Sequence, residues 1–373
     1  MLTPEDLAQH FPSLKDQHYL NTAAEGIPPT SARRALLDYL DTKTLGMDGR
    51  EALFATFDTC REAAAPIFRL PADEISFCSS TSEAYNLLAT AIPFQSGDNI
   101  VISDLDFPSG ATPWLRHPGS PEVRIWKQRD GVLHVEDLER LLDSQTRMVQ
   151  LSLVSFLTGY RLEWPAVRDT VRSNSPDTIL SVDVTQAAGR IELDCLDADC
   201  LFASSYKWLL GIHGSCVVGI PAHARGRLIT RAGGWYHLEN AFDADRFERA
   251  ESFPGARGFA VGMPSFASLY ALQEGMKLIT QTGVARIASH SDPLVAQLQV
   301  GLEELGVQMM TPPQPGNSSG IVSFQHPEAA ALNEHLRKRN LHIMHQAGRL
   351  RVSIHGYNSY ADIENLLTAI RGF

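Results

Sequence analysis

The chain has 373 residues, enough for a large α/β core and a smaller second unit. Hydrophobic residues make up 44% and charged residues 20%, the make-up of a soluble globular protein. With 43 acidic against 32 basic residues, the net charge of −11 argues against nonspecific binding to nucleic acid or anionic membrane. The cysteines, Cys60, Cys78, Cys195, Cys200 and Cys216, are odd in number and lack Cys-x-x-Cys spacing. That disfavours a disulfide framework or a zinc site, so no metal and a cytoplasmic setting are expected. Met1 is followed by Leu-Thr-Pro-Glu-Asp rather than a basic and then an apolar segment, so no signal peptide is expected.

Short apolar runs alternate with helical patterns from about Glu74 to Ile220. Strands are predicted at Ile75–Cys78, Asn99–Ser103, Val123–Trp126, Met148–Val154, Thr178–Val184, Leu201–Ser204 and Cys216–Ile220. Helices are predicted at Ser82–Ala91, Val135–Leu142 and Pro165–Arg172. Most of these strands are apolar throughout, as in a mostly parallel sheet covered on both faces. After Pro264 come two long helical stretches, Phe266–Thr282 and Val284–Leu305, then a loop over Thr311–Ser319. Strand Ile321–Phe324, helix Glu328–Arg339, strand Leu350–Ile354 and helix Tyr360–Ile370 complete a smaller α+β unit. The expected division is 20–260 for the large unit and 261–373 for the small one, with 1–19 packed against the latter.

The chemistry concentrates in Ser181-Val-Asp-Val-Thr-Gln-Ala-Ala-Gly189 and Leu201-Phe-Ala-Ser-Ser-Tyr-Lys-Trp-Leu-Leu-Gly211. Asp183 closes one apolar strand and Lys207 follows another. Ligands of open parallel sheets bind beyond those carboxyl ends, so the two residues can face one crevice. Pyridoxal 5′-phosphate needs such a pair: a lysine to form an imine with its aldehyde, and a carboxylate to keep its pyridine nitrogen protonated. Desolvation and nearby positive charge lower a lysine's pKa for this role. Taken singly, a strand-end aspartate is ordinarily a cap and a lysine ordinarily solvated. Cys78-Ser-Ser-Thr-Ser-Glu-Ala-Tyr-Asn86 places small hydroxyl residues between a strand and a helix. It reads either as an anion-binding turn or as an ordinary N-cap by Thr81 or Ser82.

Five segments in order resemble the class V aminotransferase group of fold-type I pyridoxal-phosphate enzymes, which includes cysteine desulfurases and isopenicillin N epimerase-like proteins. Tyr19-Leu-Asn-Thr-Ala-Ala24 is similar to the N-terminal pocket segment, which implies Asn21 and Ala23 near the substrate. Ser80-Thr-Ser-Glu-Ala-Tyr-Asn86 is similar to the phosphate loop, implying Ser80, Thr81 and Ser82 as phosphate ligands. Asp183-Val-Thr-Gln186 resembles the Asp-x-x-Gln that meets the pyridine nitrogen and the ring 3-oxygen. Ser204-Ser-Tyr-Lys207 resembles the segment that ends in the Schiff-base lysine, with Ser204 and Tyr206 beside the cofactor. Arg351-Val-Ser-Ile-His-Gly-Tyr-Asn358 resembles the C-terminal signature whose arginine binds the substrate α-carboxylate. Without the resemblance, Arg351 reads as an exposed strand arginine. Phe107 matches the ring that stacks on the cofactor, or is a core phenylalanine. Trp235 matches a loop near the active site, or is a buried structural tryptophan.

The chain also departs from the desulfurase pattern. The stretch His342-Ile-Met-His-Gln-Ala-Gly-Arg-Leu-Arg351 contains no cysteine, whereas a desulfurase needs a thiolate to receive sulfur. Desulfurases commonly stack a histidine where this chain has Phe107, which cannot transfer protons. The family's Gly-Thr-Pro, which lends a hydroxyl to a neighbouring subunit's phosphate, is Gly262-Met-Pro264 here. The resemblance still implies a homodimer with active sites at its interface. It implies an enzyme that works on an α-amino acid through a cofactor imine and a Cα carbanion, with aminotransferase chemistry first. β-Elimination in the manner of a carbon–sulfur lyase, and epimerisation, use the same core residues. A pyridoxal-phosphate-binding protein without catalysis is the reading from another class. His237, His342 and His345 stand open between pocket-shaping and ordinary structural roles.

Overall fold

The computed structural model describes residues 4–314 and 316–373. A seven-stranded sheet lies at its centre. From edge to edge the strands are Ile75–Cys78, Cys216–Gly219, Cys200–Ser204, Ile179–Asp183, Thr146–Ser152, Asn99–Ser103 and Glu122–Trp126. The last five run parallel. Cys216–Gly219 is antiparallel to both its neighbours, so Ile75–Cys78 again runs in the common direction. Six strands thus bring their carboxyl ends to one edge of the sheet, the edge at which α/β proteins bind ligands.

Five of the seven strands are buried at every residue. Alternate side chains of the sheet's strands enter two separate apolar clusters, one on each face. Val101, Val149, Leu151, Val182 and Leu201 belong to one; Ile100, Ile102, Met148, Phe202 and Val218 belong to the other. Helices cover both faces because neither is polar enough to meet water.

Helices Thr30–Thr44 and Arg50–Phe68 were not anticipated. Both pack on helix Phe266–Thr282, whose buried residues Leu269, Leu272 and Met276 join the first sheet-face cluster. A third apolar cluster forms around the four-stranded antiparallel sheet Met344–Gln346, Arg349–Ser353, Ile321–Gln325 and Gln308–Met309. Helices Val284–Glu304, Ala329–Arg337 and Tyr360–Arg371 supply its other side. The N-terminal segment is tied to this unit: His18–Tyr19 pairs in parallel with Leu341–His342, Leu20 lies in its cluster, and Asn21 bridges to Ser353.

Candidate active site

The carboxyl edge of the sheet encloses a pocket lined by Thr81, Phe107, Ser152, Asp183, Gln186, Ser204, Tyr206 and Lys207, with Ser109, Val154, Phe156 and Thr185 completing the wall. Asp183 is the last residue of its strand. Its Oδ1 accepts from the Thr185 backbone N–H at 2.8 Å, and its Oδ2 accepts from the Tyr85 hydroxyl at 3.0 Å. Tyr85 accepts in turn from Gln150 Nε2 at 3.1 Å. Burial first, then the Asp183 charge, raises the Tyr85 pKa well above that of an ordinary phenol, so Tyr85 stays a donor. Two oriented donors hold the carboxylate with lone pairs to spare.

Gln186 is held at both ends. Its Nε2 donates to Ala23 O at 3.1 Å, and its Oε1 accepts from Trp208 Nε1 at 2.6 Å. One amide hydrogen remains for the pocket. The Ala23 N–H in turn donates to Ser353 Oγ at 2.9 Å. The N-terminal segment, the Asp-x-x-Gln turn and the C-terminal strand therefore meet at one point.

Lys207 is buried. Desolvation lowers its pKa from 10.5 to about 8; the Asp183 charge opposes this and Arg351 adds to it. Its Nζ lies 5.3 Å from the centre of the Phe107 ring and 5.6 Å from that of Tyr206, distances at which aromatic faces attract an ammonium. Phe107 is 42% exposed, so it is a pocket wall rather than a core phenylalanine. Arg351 is the reverse of an exposed strand arginine: it is buried, and one terminal nitrogen donates to Phe156 O at 2.8 Å. Burial, then neighbouring Arg349, lowers its pKa to about 10, so it remains a cation at neutral pH.

Around Ser80–Ser82 the roles divide. Ser80, not Thr81 or Ser82, caps helix Thr81–Ala91, its Oγ accepting from Glu83 N at 3.2 Å. The cap occupies one lone pair of that hydroxyl. Thr81 reaches the pocket, whereas Ser82 is exposed and outside its lining. Trp235 is only half-buried. Its ring meets Tyr236 and Phe242, and it does not line the pocket. His237 is buried with Nε2 against Ala232 O at 3.1 Å, and the pocket lining contains none of His237, His342 and His345. Met263 is exposed and shares a depression with Ser79 and Glu83, on the flank of the same turn.

Several contributors escaped notice in the sequence. Tyr85 reads there as an apolar helix position, although it falls inside the Ser80–Asn86 segment. Ser109 follows the proline that opens helix Pro108–Leu115, and its buried Oγ has no partner and lines the pocket. Gly26 carries no local signal at all. Its N–H donates to Tyr206 O at 2.7 Å, and a Cβ there would stand 1.9 Å from the Lys207 carbonyl oxygen. Gly26→Ala is therefore expected to displace the backbone of Lys207, at roughly 1–3 kcal/mol for an overpacked site. The check is thermal melting together with cofactor affinity; wild-type values for both would show that the contact is not needed.

The residues gathered here form a coherent donor set. A carboxylate with free lone pairs, an amide hydrogen, an aromatic wall, a depressed lysine and the hydroxyls of Thr81, Ser109 and Ser204 suit a phosphorylated pyridine aldehyde. The model for aminotransferase class-V matches residues 46–366. An uncharacterised aminotransferase of Bacillus subtilis, YcbU, is 26% identical over 370 residues, covering 98% of this chain and 97% of its own. A probable cysteine desulfurase of Methanothermobacter thermautotrophicus is 27% identical over 394 residues, 97% and 96% of the two chains. Among solved structures, the apo cysteine desulfurase of Thermococcus onnurineus superposes with a TM-score of 0.88 at 24% identity, covering 100% and 98%. The cystine C–S lyase C-DES superposes with a TM-score of 0.87 at 21% identity, covering 97% and 99%. The chain thus belongs to the class V aminotransferase family of fold-type I enzymes, whose cofactor is pyridoxal 5′-phosphate.

Proposed function

We propose that this chain is an enzyme acting on an α-amino acid, first an aminotransferase, with Lys207 as the residue that holds the cofactor and moves the substrate's Cα proton. One observation carries this reading: Lys207 and Asp183 line one pocket, and buried Arg351, bonded to the wall residue Phe156 just outside that lining, is close enough for Lys207 to feel both other charges. When bound, the cofactor supplies an aldehyde for the amine and a cationic ring that withdraws electrons from Cα. Asp183 would accept the ring nitrogen's hydrogen bond, Gln186 would donate toward the ring oxygen, and Thr81 and Ser204 would hold the phosphate. Ser80, through its remaining acceptor and donor capacity, and Tyr206 support that cradle. Arg351 fixes the α-carboxylate bidentately, which sets the orientation of the Cα–H bond. Lys207 Nζ, near neutral pKa, takes that proton and returns it.

Where the proton returns separates transamination from epimerisation, and a leaving group on Cβ would open elimination. The absence of a cysteine between His342 and Arg351 weighs against desulfurase chemistry. The C-DES neighbour, a cystine C–S lyase, keeps β-elimination as the second reading. Asn21, whose buried Oδ1 lacks a partner, and Ala23 are proposed beside the substrate, with Trp235 reaching a site only as part of an assembly. A homodimer is supported by exposed Leu37, Leu40, Leu45, Met47 and Met263, an unusual apolar surface for a monomer. A cofactor-bearing unit over 20–260 and a C-terminal unit over 261–373 complete the proposal, with helix Phe266–Thr282 anchoring the second on the first. A cytoplasmic site of action suits the five unpaired cysteines.

The test is spectroscopic. Purified protein given the cofactor is expected to show a visible absorption band that Lys207→Ala abolishes. Amino acids added without a keto acceptor should leave the cofactor aminated. Pyruvate and ammonia with unchanged cofactor would favour the lyase, and a band that no amino acid perturbs would indicate binding without catalysis. No band at all would overturn the reading.

A further inference from the structure

Strand Arg349–Ser353 stands between two interiors. Leu350 and Val352 enter the C-terminal apolar cluster, so Arg349, Arg351 and Ser353 occupy the opposite face. That face is covered by the segment following strand Thr146–Ser152. Arg351 donates to Phe156 O at 2.8 Å. Arg349 donates to the next carbonyl, Leu157 O, at 3.3 Å and to Gln346 Oε1 at 3.4 Å. The Arg349 guanidinium carbon lies 5.8 Å from the centre of the Phe156 ring, and Phe156 is part of the pocket wall.

The two arginines are 6% and 4% exposed, and the Nε of each is buried without a partner. Among the described residues neither has an acidic partner. Burial alone lowers the pKa of Arg349, and the other guanidinium further lowers that of Arg351. Elsewhere this chain treats a buried arginine differently: Arg190, equally inaccessible, has Asp292 at 2.7 Å. Burying a charge is expensive unless it is paired. Two adjacent cations without a counter-ion mark a place where anions arrive from outside. A single α-carboxylate satisfies Arg351 and leaves Arg349 unexplained.

We propose that the amino-acid substrate carries a second anion at the end of its side chain, with Arg351 receiving the α-carboxylate and Arg349 the side-chain acid. This rests on the reading of function above, and it adds the substrate class. The side-chain anion is a carboxylate or another compact acid. The shared requirement is negative charge with oxygen acceptors on the side of the pocket beyond Phe156.

Calorimetric titration of the cofactor-loaded protein with succinate and with its monoamide, succinamate, tests this directly. Neither compound has an amino group, so binding is read without turnover. The wild type should bind succinate roughly ten- to hundredfold more tightly, as one charge-assisted hydrogen-bonded pair provides. In Arg349→Gln that ratio should fall to about one, while Arg349→Lys should keep part of it. Cofactor spectra should agree, with aspartate or glutamate perturbing the band at lower concentration than asparagine or glutamine. Equal wild-type affinity for the two probes overturns the proposal whatever the variants do. Equal weakening of both probes in Arg349→Gln also overturns it, since both arginines would then serve one carboxylate. A missing cofactor band strikes the functional reading, whereas a succinate ratio near one in protein that shows the band strikes this proposal alone.

Discussion

Asp183→Asn is expected to reduce turnover by on the order of 10²–10⁴-fold, the kinetic equivalent of losing one member of a buried charge pair at roughly 3–5 kcal/mol. The substitution keeps the shape of the side chain and removes its charge. In the native site both carboxylate oxygens face donors, the Thr185 N–H at 2.8 Å and the Tyr85 hydroxyl at 3.0 Å. An amide satisfies the first with its oxygen and turns its NH₂ toward Tyr85, which must then accept. It can no longer hold a positive charge on a ring nitrogen, so electron withdrawal from the substrate's Cα is lost while the fold is kept. Tyr85→Phe removes only one donor to the same carboxylate and should cost about 1 kcal/mol. Steady-state kinetics at saturating cofactor, with cofactor content measured separately, tests both. Wild-type turnover in a fully loaded Asp183→Asn protein would remove Asp183 from the ring nitrogen.

Much of this site is legible in the sequence because its residues lie at the ends of uninterrupted apolar runs. Ile179–Asp183 and Cys200–Ser204 are buried throughout, and polar residues that close such runs fall at the carboxyl edge by geometry alone. What the sequence hides is which surface covers a residue. Arg-Leu-Arg-Val-Ser reads as a strand with one wet face. The face is dry because Phe156 and Leu157, nearly 200 residues earlier, lie across it. Phe107 is misleading in the opposite sense, an aromatic residue left exposed as a wall. Tyr85 sits with its ring among the apolar residues of helix Thr81–Ala91, and only its hydroxyl reveals the site. Helix Thr30–Thr44 is missed for a related reason. It buries little within one chain, only Ala32 fully, so its apolar positions form no clear inward stripe. The cap at Ser80 differs from Thr81 or Ser82 by a single turn position, where several hydroxyl residues in a row offer equivalent chemistry.

Lys207→Met is expected to make the cofactor-free protein more stable by up to about 3 kcal/mol at pH 7, and to lose that advantage above about pH 10.5. Burial moves the native pKa of Lys207 from 10.5 to about 8, and each pKa unit corresponds to about 1.4 kcal/mol. The lysine's folded pKa lies below its unfolded one, so between these values the unfolded chain binds more protons than the native one. The native protein therefore gains stability as pH rises from about 8 to about 10.5. Below pH 8 the lysine is charged in both states and the whole cost of burying the ammonium is present. Methionine has similar bulk without the charge, so it relieves that cost at pH 7 and has nothing to relieve once the native lysine is neutral. Urea titrations of the cofactor-free wild type and variant at pH 7 and pH 10.5 measure the difference. A gap of equal size at both values would mean that packing, not charge, distinguishes the two proteins. The same depressed pKa governs cofactor loading, because only the neutral amine attacks an aldehyde. At pH 7 roughly one Lys207 in ten is neutral if its pKa is near 8, so the loading rate should climb close to tenfold between pH 6 and 7 and level off above pH 8. A rate still climbing tenfold per unit at pH 9 would place Lys207 in water-like surroundings and contradict its burial between Phe107 and Asp183.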